Sequence, residues 1–254
     1  MSSLILSSRE GGVATITLNR PERRNALTAE MLEQLLAALD SATQDASCRA
    51  IILRGAKDDF STGFDLTEGQ DLSFSLKHGE LLVKAQLTIA EASQVVIAAV
   101  HGYVLAGGGA ITASCDFAIA AASAKFGYPV LKVGIVPTPG MPFLRHELKD
   151  RDFRALALSG ELWDAQRALQ AGLVNSVFPT MEEALAEAHR LAGLIVASSP
   201  SAVKATKSFA AHLSRGTLRE EMAESLRVYQ EVRKGPEATE GLKAFAEKRA
   251  PNWA

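Results

Sequence analysis

Val13-Ala-Thr-Ile-Thr-Leu18 alternates apolar and polar positions, which predicts a strand with one buried face. A polar loop with Pro21 and three arginines follows, from Asn19 to Ala26. Thr28 then stands where a helix cap belongs. The apolar stripe Met31, Leu32, Leu35, Leu36 and Leu39 carries that helix to about Gln44. Ala50 to Leu53 is a short, wholly apolar strand that ends at Gly55, and 57–69 is a loop. Leu72 to Glu91 has helical spacing. Val95 to Val100 is a third buried strand running into His101-Gly102, and Gly107-Gly108-Gly109 precedes a helix start at 110–113. Asp116 to Ala120 and Val174 to Phe178 complete the strands. Strands alternating with helices predict right-handed βαβ units and a largely parallel sheet.

After Thr180 the pattern is helical only. Thr180 with Glu183 and Thr217 with Glu220 fit the capping box, and Ser199-Pro200 suits a helix start. Three helices are expected over roughly 181–249. The chain thus reads as a core domain, 1–180, and a C-terminal helical region, 181–254, with no clean linker, repeat or low-complexity tract.

Composition narrows the function classes. The 254 residues are 47% apolar and 22% charged, ample for one large core. A net charge of −2 gives no basic surplus for nucleic acid or an anionic membrane. Cys48 and Cys115 have no neighbours at metal-ligand spacing, so free thiols and no metal site are expected. The first ten residues lack a basic segment followed by an apolar run, and no apolar stretch approaches the ~20 residues of a membrane span. A cytoplasmic protein is the expectation.

The sequence has no G-x-S-x-G elbow, Walker A loop, H-E-x-x-H or G-x-G-x-x-G. Two segments stand out instead. Phe60-Ser-Thr-Gly-Phe-Asp-Leu66 follows a strand and a polar loop. Ala98-Ala-Val-His-Gly-Tyr-Val-Leu-Ala-Gly-Gly-Gly109 joins a buried strand to a helix. Glycines there let a ligand approach backbone N–H groups that favour an oxyanion. On glycine content alone, close helix packing explains them equally well.

These two segments, in this order, resemble the enoyl-CoA hydratase/isomerase (crotonase) superfamily. So do Asn19-Arg-Pro-Glu-Arg-Arg-Asn-Ala-Leu27, Ala124-Lys-Phe-Gly127, Leu158-Ser-Gly160, Ala171-Gly-Leu-Val174 and Glu240-Gly-Leu-Lys-Ala-Phe-Ala-Glu-Lys-Arg249. The resemblance spans nearly the whole chain. It implies an α/β fold, a spiral of ββα units with C-terminal helices, assembled as a homotrimer or dimer of trimers. It also implies an acyl-coenzyme A thioester as substrate or ligand, with no further cofactor. By the same resemblance, the backbone N–H groups of Phe64 and Gly108 match the pair that holds the thioester oxygen. Phe64 departs from the small residues common at its position, and its ring is placed to narrow the acyl pocket.

The family's hydratases orient and deprotonate water with two glutamates. The matching positions here are Ile111 and Val130. A third position that carries an acid in other members falls at about Thr138. No Asp or Glu lies between Lys125 and Arg145. The resemblance therefore implies a thioester-processing protein that is not an efficient hydratase, or a non-catalytic acyl-CoA binder. Tyr128 is a candidate replacement proton donor, or a pocket wall. His101 is expected to hold its loop, Tyr103 to pack the glycine turn and Asp65 to order the loop after Gly63. Glu68, Asp71, His146 and Glu147 are acids and a histidine within reach of the site or of solvent. Arg23 and Arg24 are candidates for the coenzyme A phosphates, with Ser61 and Thr62 flanking the nucleotide. Phe245 and Lys248 match positions that reach the ligand from a neighbouring subunit. Ile111, Val130, Val136 and Phe64 imply a dry, apolar acyl pocket.

Overall fold

The computed structural model describes residues 3–211, 213 and 216–253. Its main sheet begins with β1 (Ile5–Glu10) and β2 (Val13–Leu18), an antiparallel pair joined across Gly11-Gly12. Both glycines have positive φ, 53° and 85°, which a two-residue hairpin demands. β3 (Ala50–Gly55), β4 (Val95–Val100), β6 (Phe117–Ala121) and β9 (Ser176–Phe178) then add in parallel, giving the order β1-β2-β3-β4-β6-β9. A second sheet holds β5 (Tyr103–Leu105), β7 (Lys125–Gly127) and β8 (Trp163–Asp164).

The two sheets are visited in turn, and this alternation creates the site. Each turn takes a main-sheet strand, then a short second-layer segment, then a helix. β2 leads through Leu27 into α1 (Ala29–Gln44), and β3 leads through 61–64 into α2 (Leu72–Glu91). β4 leads through β5 into α3 (Gly107–Ala113). Bridges Leu27 to Phe64 and Ser61 to Val104 stitch successive second-layer segments together, and β5 pairs in parallel with β7. This is the expected α/β spiral of ββα units, and it brings Phe64 beside Gly108 from adjacent turns.

Alternation within the strands serves two cores. Ile51 and Leu53 of β3 join the larger core with Leu32, Leu35 and Leu39 of α1. Ala50 and Ile52 face the other way, with Ile97 and Ile119, against Ala184, Ala188 and Ala192 of α7 (Met181–Val196). Three alanines four apart let α7 lie close on the sheet. Of the helices beyond residue 180, α7 supplies the buried residues of this core, and Val203, further along the chain, packs against it.

Between β7 and α7 lie α4 (Met141–Glu147), α5 (Asp150–Ser159) and α6 (Ala165–Ala171). After α7 come α8 (Pro200–Ala210), α9 (Leu218–Arg233) and α10 (Pro236–Ala246), so four helices fill the region where three were expected. The extra boundary falls at Gly235-Pro236, since proline ends a helix but starts one well. Thr217 and Glu220 form the full reciprocal capping box, whereas Thr180 only accepts from the Glu183 N–H. No helix among the described residues is long and apolar enough to cross a membrane.

Candidate functional site

The floor of the site is the loop 61–65, pinned on both edges. Leu27 N–H donates to Gly63 O at 2.7 Å, and Asp65 N–H donates to Leu27 O at 3.1 Å. On the other side Ser61 N–H donates to Tyr103 O, and Leu105 N–H donates to Ser61 O, each at 2.9 Å. Asn25, wholly buried with a left-handed φ of 53°, secures the approach. Its Oδ1 accepts from Arg20 N–H at 2.8 Å, and its Nδ2 donates to Ala56 O and Asp59 O at 3.0 and 2.7 Å.

Against this floor stands the glycine turn. Gly63 has φ +81°, and a Cβ there would stand 2.6 Å from Leu105 O and 2.8 Å from Gly107 N. A Cβ on Gly108 would stand 2.7 Å from Ser61 O. The two limbs are thus packed backbone to backbone, and only glycine permits it. Ala106 turns the chain between them at φ 45°, ψ −110°, an unfavourable conformation for alanine costing about 1–3 kcal/mol. Its N–H donates to Gly127 O at 2.9 Å and its carbonyl accepts from Ala110 N–H at 2.9 Å, which holds it there. Between these limbs, neither Phe64 N–H nor Gly108 N–H has an acceptor among the described residues.

The structure sorts the expected site residues. Ser61 is wholly buried; its hydroxyl donates to Asn25 O at 2.8 Å and accepts from Gly63 N–H at 3.0 Å, so it shapes the loop rather than offering a free group. Thr62 N–H donates to Arg24 O at 3.1 Å, which lays the arginine loop along the same edge. Arg23 is exposed; Arg24 stacks on the Tyr103 ring at 5.1 Å and lies 3.9 Å from Asp59. Asp65 binds Arg20 at 2.5 Å and accepts from Thr67 N–H at 2.9 Å. Burial opposes its ionisation, but those bonds outweigh it and hold the carboxyl below its usual range. His101 is desolvated, which lowers its pKa, and its Nε2 bonds Lys57 O at 2.6 Å, a loop-holding contact.

The nearby acids are engaged elsewhere. Glu68 accepts from Ala29 N–H at 2.9 Å at the start of α1, and Asp71 caps α2 through Ser73 N–H at 2.8 Å. His146 and Glu147 are exposed on α4. Ile111 is buried in α3, Val130 is half-buried in a 3-10 turn and Thr138 is exposed. Tyr128 is 2% exposed, with its hydroxyl 3.1 Å from where a Gly109 Cβ would stand. Phe245 on α10 is 85% exposed, Lys248 follows it with a left-handed φ, and no hydrogen bond or ion pair joins α10 to the loop 61–65 among the described residues. Two open clefts, one of about 440 Å³ beside Arg49, Lys204 and Glu237 and one of about 340 Å³ between α8 and α9, also lie away from that loop.

The enoyl-CoA hydratase/isomerase family model matches residues 8–254. The chain belongs to this family. It is 35% identical over 260 residues to the 2,3-dehydroadipyl-CoA hydratase of Escherichia coli K12, covering 100% of this chain and 99% of that protein. The solved enoyl-CoA hydratase of Bacillus anthracis superposes with a TM-score of 0.93 at 29% identity, covering 99% of each chain. That of Mycobacterium smegmatis gives 0.92 at 30% identity, again with 99% of each chain covered. The crotonase fold expected from the sequence is therefore the fold of this family member.

Two buried polar residues beside the candidate site were invisible to sequence reasoning, His78 and Gln86 of α2. With Leu82 they form a buried stripe four residues apart. Polar residues at helical spacing within an otherwise apolar face were the available signal. The His78 ring packs on Phe64 at 4.3 Å, and Leu82 lies 3.5 Å from where a Gly107 Cβ would stand. Gln86 Nε2 donates to Leu82 O at 3.2 Å and to Pro139 O at 3.1 Å. Among the described residues no group of three His, Cys, Asp or Glu side chains is arranged to hold a metal ion.

Proposed function

We propose that this family member binds an acyl-coenzyme A thioester and stabilises negative charge on its carbonyl oxygen with the N–H groups of Phe64 and Gly108. The observation that carries the reading is the pair of unpartnered amides on limbs packed too closely for a Cβ at Gly63 or Gly108. Donors fixed before the reaction stabilise an enolate without reorganising, and each contributes about 10²–10³ in rate in comparable sites. Arg23, Arg24 and Thr62 line the coenzyme A side, and Phe245 and Lys248 complete it from a neighbouring subunit of a trimer or dimer of trimers.

The chain is not an efficient hydratase on this reading. Ile111, Val130 and Thr138 cannot accept a proton, and Glu68 and Asp71 already serve helix N-termini. That engagement also favours a second reading, a non-catalytic acyl-CoA sensor or partner subunit. Mixing the protein with crotonyl-CoA and following the conjugated thioester absorbance tests the first point. Binding without loss of absorbance is expected, and rapid loss would overturn the weak-hydratase reading. Malonyl-type and 3-enoyl thioesters then separate catalysis from binding. Conversion of either supports an enzyme, and binding without conversion supports the sensor.

A further inference from the structure

In the turn before α3, the residue whose backbone calls for glycine is an alanine. Ala106 stands at φ 45°, ψ −110°, close to the first central position of a II′ turn, where glycine is the ordinary occupant. None of Gly107, Gly108 and Gly109 has a positive φ. Their missing side chains serve close approach instead. A Cβ would stand 3.1 Å from Leu27 Cδ1 at Gly107, 2.7 Å from Ser61 O at Gly108 and 3.1 Å from Tyr128 OH at Gly109. A residue in so sparse a region of φ, ψ persists only where its surroundings over-determine it, and such residues gather at functional sites.

The alanine methyl has a definite place. Ala106 is 7% exposed and belongs to the larger core. It faces Gly63, where a Cβ would stand 2.9 Å from Ala106 Cβ, 2.6 Å from Leu105 O and 2.8 Å from Gly107 N. A Cβ on Gly107 would in turn stand 3.6 Å from Gly63 Cα. At this contact the loop 61–65 presents bare backbone, and the turn supplies the side chain. Phe64 follows Gly63 and Gly108 follows Gly107, so the contact lies one residue from each of the two amides. Both backbone groups of Ala106 are tied, the N–H to Gly127 O and the carbonyl to Ala110 N–H. The methyl narrows the φ, ψ region open to the turn between those ties, and a glycine would widen it.

We infer that Ala106 is a positioning residue, whose methyl, set against Gly63, fixes the spacing between the Phe64 and Gly108 amides that hold the thioester oxygen. The inference rests on the thioester reading above and adds the side chain that sets its geometry. Ala106 acts through the two limbs and not on the thioester itself. Donors fixed in advance stabilise charge without reorganising, so a loosened turn weakens their hold on a polarised carbonyl more than it weakens binding as a whole.

Difference infrared spectroscopy of butyryl-CoA, isotope-labelled at the thioester carbonyl carbon, tests it, with calorimetry for affinity. Bound to the wild type, the carbonyl band is expected below that of the free thioester, because two donors polarise the bond. Ala106→Gly should fold normally, since glycine takes this φ without strain, and its Tm should stay within about 5 °C of the wild type. Its bound band should move at least halfway back and broaden. Its Kd should change less than about fivefold, because a neutral carbonyl gains little from each donor. Ala106→Ser keeps a Cβ in the same place and should keep the wild-type band. An unchanged band in Ala106→Gly, or a band lost equally in Ala106→Ser, would overturn the inference while leaving the thioester reading intact. A larger fall in the Tm of Ala106→Gly would make the methyl a packing element only and overturn it too. A wild-type band that binding does not displace, or a failure of butyryl-CoA to bind, would remove the thioester reading and this inference with it.

Discussion

At the residue scale, His78 shows how the site couples to stability. Its ring is buried between α2 and Phe64, and desolvation pushes its pKa down to about 4. The unfolded chain carries an ordinary histidine with a pKa of about 6.5. Between those values the unfolded state binds the extra proton. The contribution of neutral His78 is therefore fully present above about pH 6.5 and is lost as pH falls towards 4, amounting to about 3 kcal/mol over that window. Urea unfolding of the wild type at pH 7.5 and 4.5 should show the fall, and His78→Leu should flatten much of it. Identical pH slopes in the two proteins would refute the assignment. The same scale shows what sequence could reveal. The close packing around Gly63 and Gly108 was legible because glycines stand there with no alternative. His78 and Gln86 were not, because a polar side chain on a long helix is ordinarily solvated, and here Phe64 packs on His78 and the 138–140 turn on Gln86.

At the element scale, α8 is attached to the sheet by Val203 on the core and by one largely buried lysine. Lys207 Nζ donates to Gln94 O at 2.8 Å, to Ile89 O at 3.3 Å and to Asp116 Oδ2 at 2.7 Å, and Asp116 also accepts from Val96 N–H at 2.7 Å. Three acceptors surround a cation that is only 11% exposed. Lys207→Met would leave Asp116 half-buried without its counter-charge and the two carbonyls unpaired. A loss of about 3 kcal/mol is expected by urea denaturation at neutral pH, and a loss below about 1 kcal/mol would mean that solvent screens the pair. Elements with their own periodicity were readable. α1 and α2 run within a residue of their sequence limits, since caps and apolar stripes mark both. The short strands β5, β7 and β8 were missed because two or three residues carry no period, and their pairing is decided by chain segments far apart in sequence. β1 was missed for a different reason. Only Ile5 of its six residues is buried, so it shows no alternation, although Gly11-Gly12 ahead of a strand signals the hairpin.

At the scale of the whole molecule, the surface argues that the single chain is incomplete. Leu218, Met222, Leu226 and Tyr229 form an exposed stripe along one side of α9, and Phe245 stands exposed on the neighbouring α10. Apolar surface gathered this way marks an interaction face more often than a solvated one. α10 carries Phe245, and Lys248 lies just past its end, the two residues proposed above for a coenzyme A site on another subunit. If that assignment holds, assembly and binding are coupled, because each site borrows two residues across the interface. Sedimentation of the wild type should then give a trimer or its double. Replacing Leu226 by Glu places a charge within the stripe, and it should shift the protein to monomers without unfolding it, as read by circular dichroism. The monomer should retain the loop 61–65 and the glycine turn, since Leu27, Tyr103, Leu105 and Gly127 of the same chain pin them. It should nevertheless bind butyryl-CoA at least about tenfold more weakly, the loss of roughly 1.4 kcal/mol. A folded monomer with undiminished affinity would separate the two ideas, leaving the amides of Phe64 and Gly108 as a site sufficient in itself and the stripe on α9 as an interface without a part in binding.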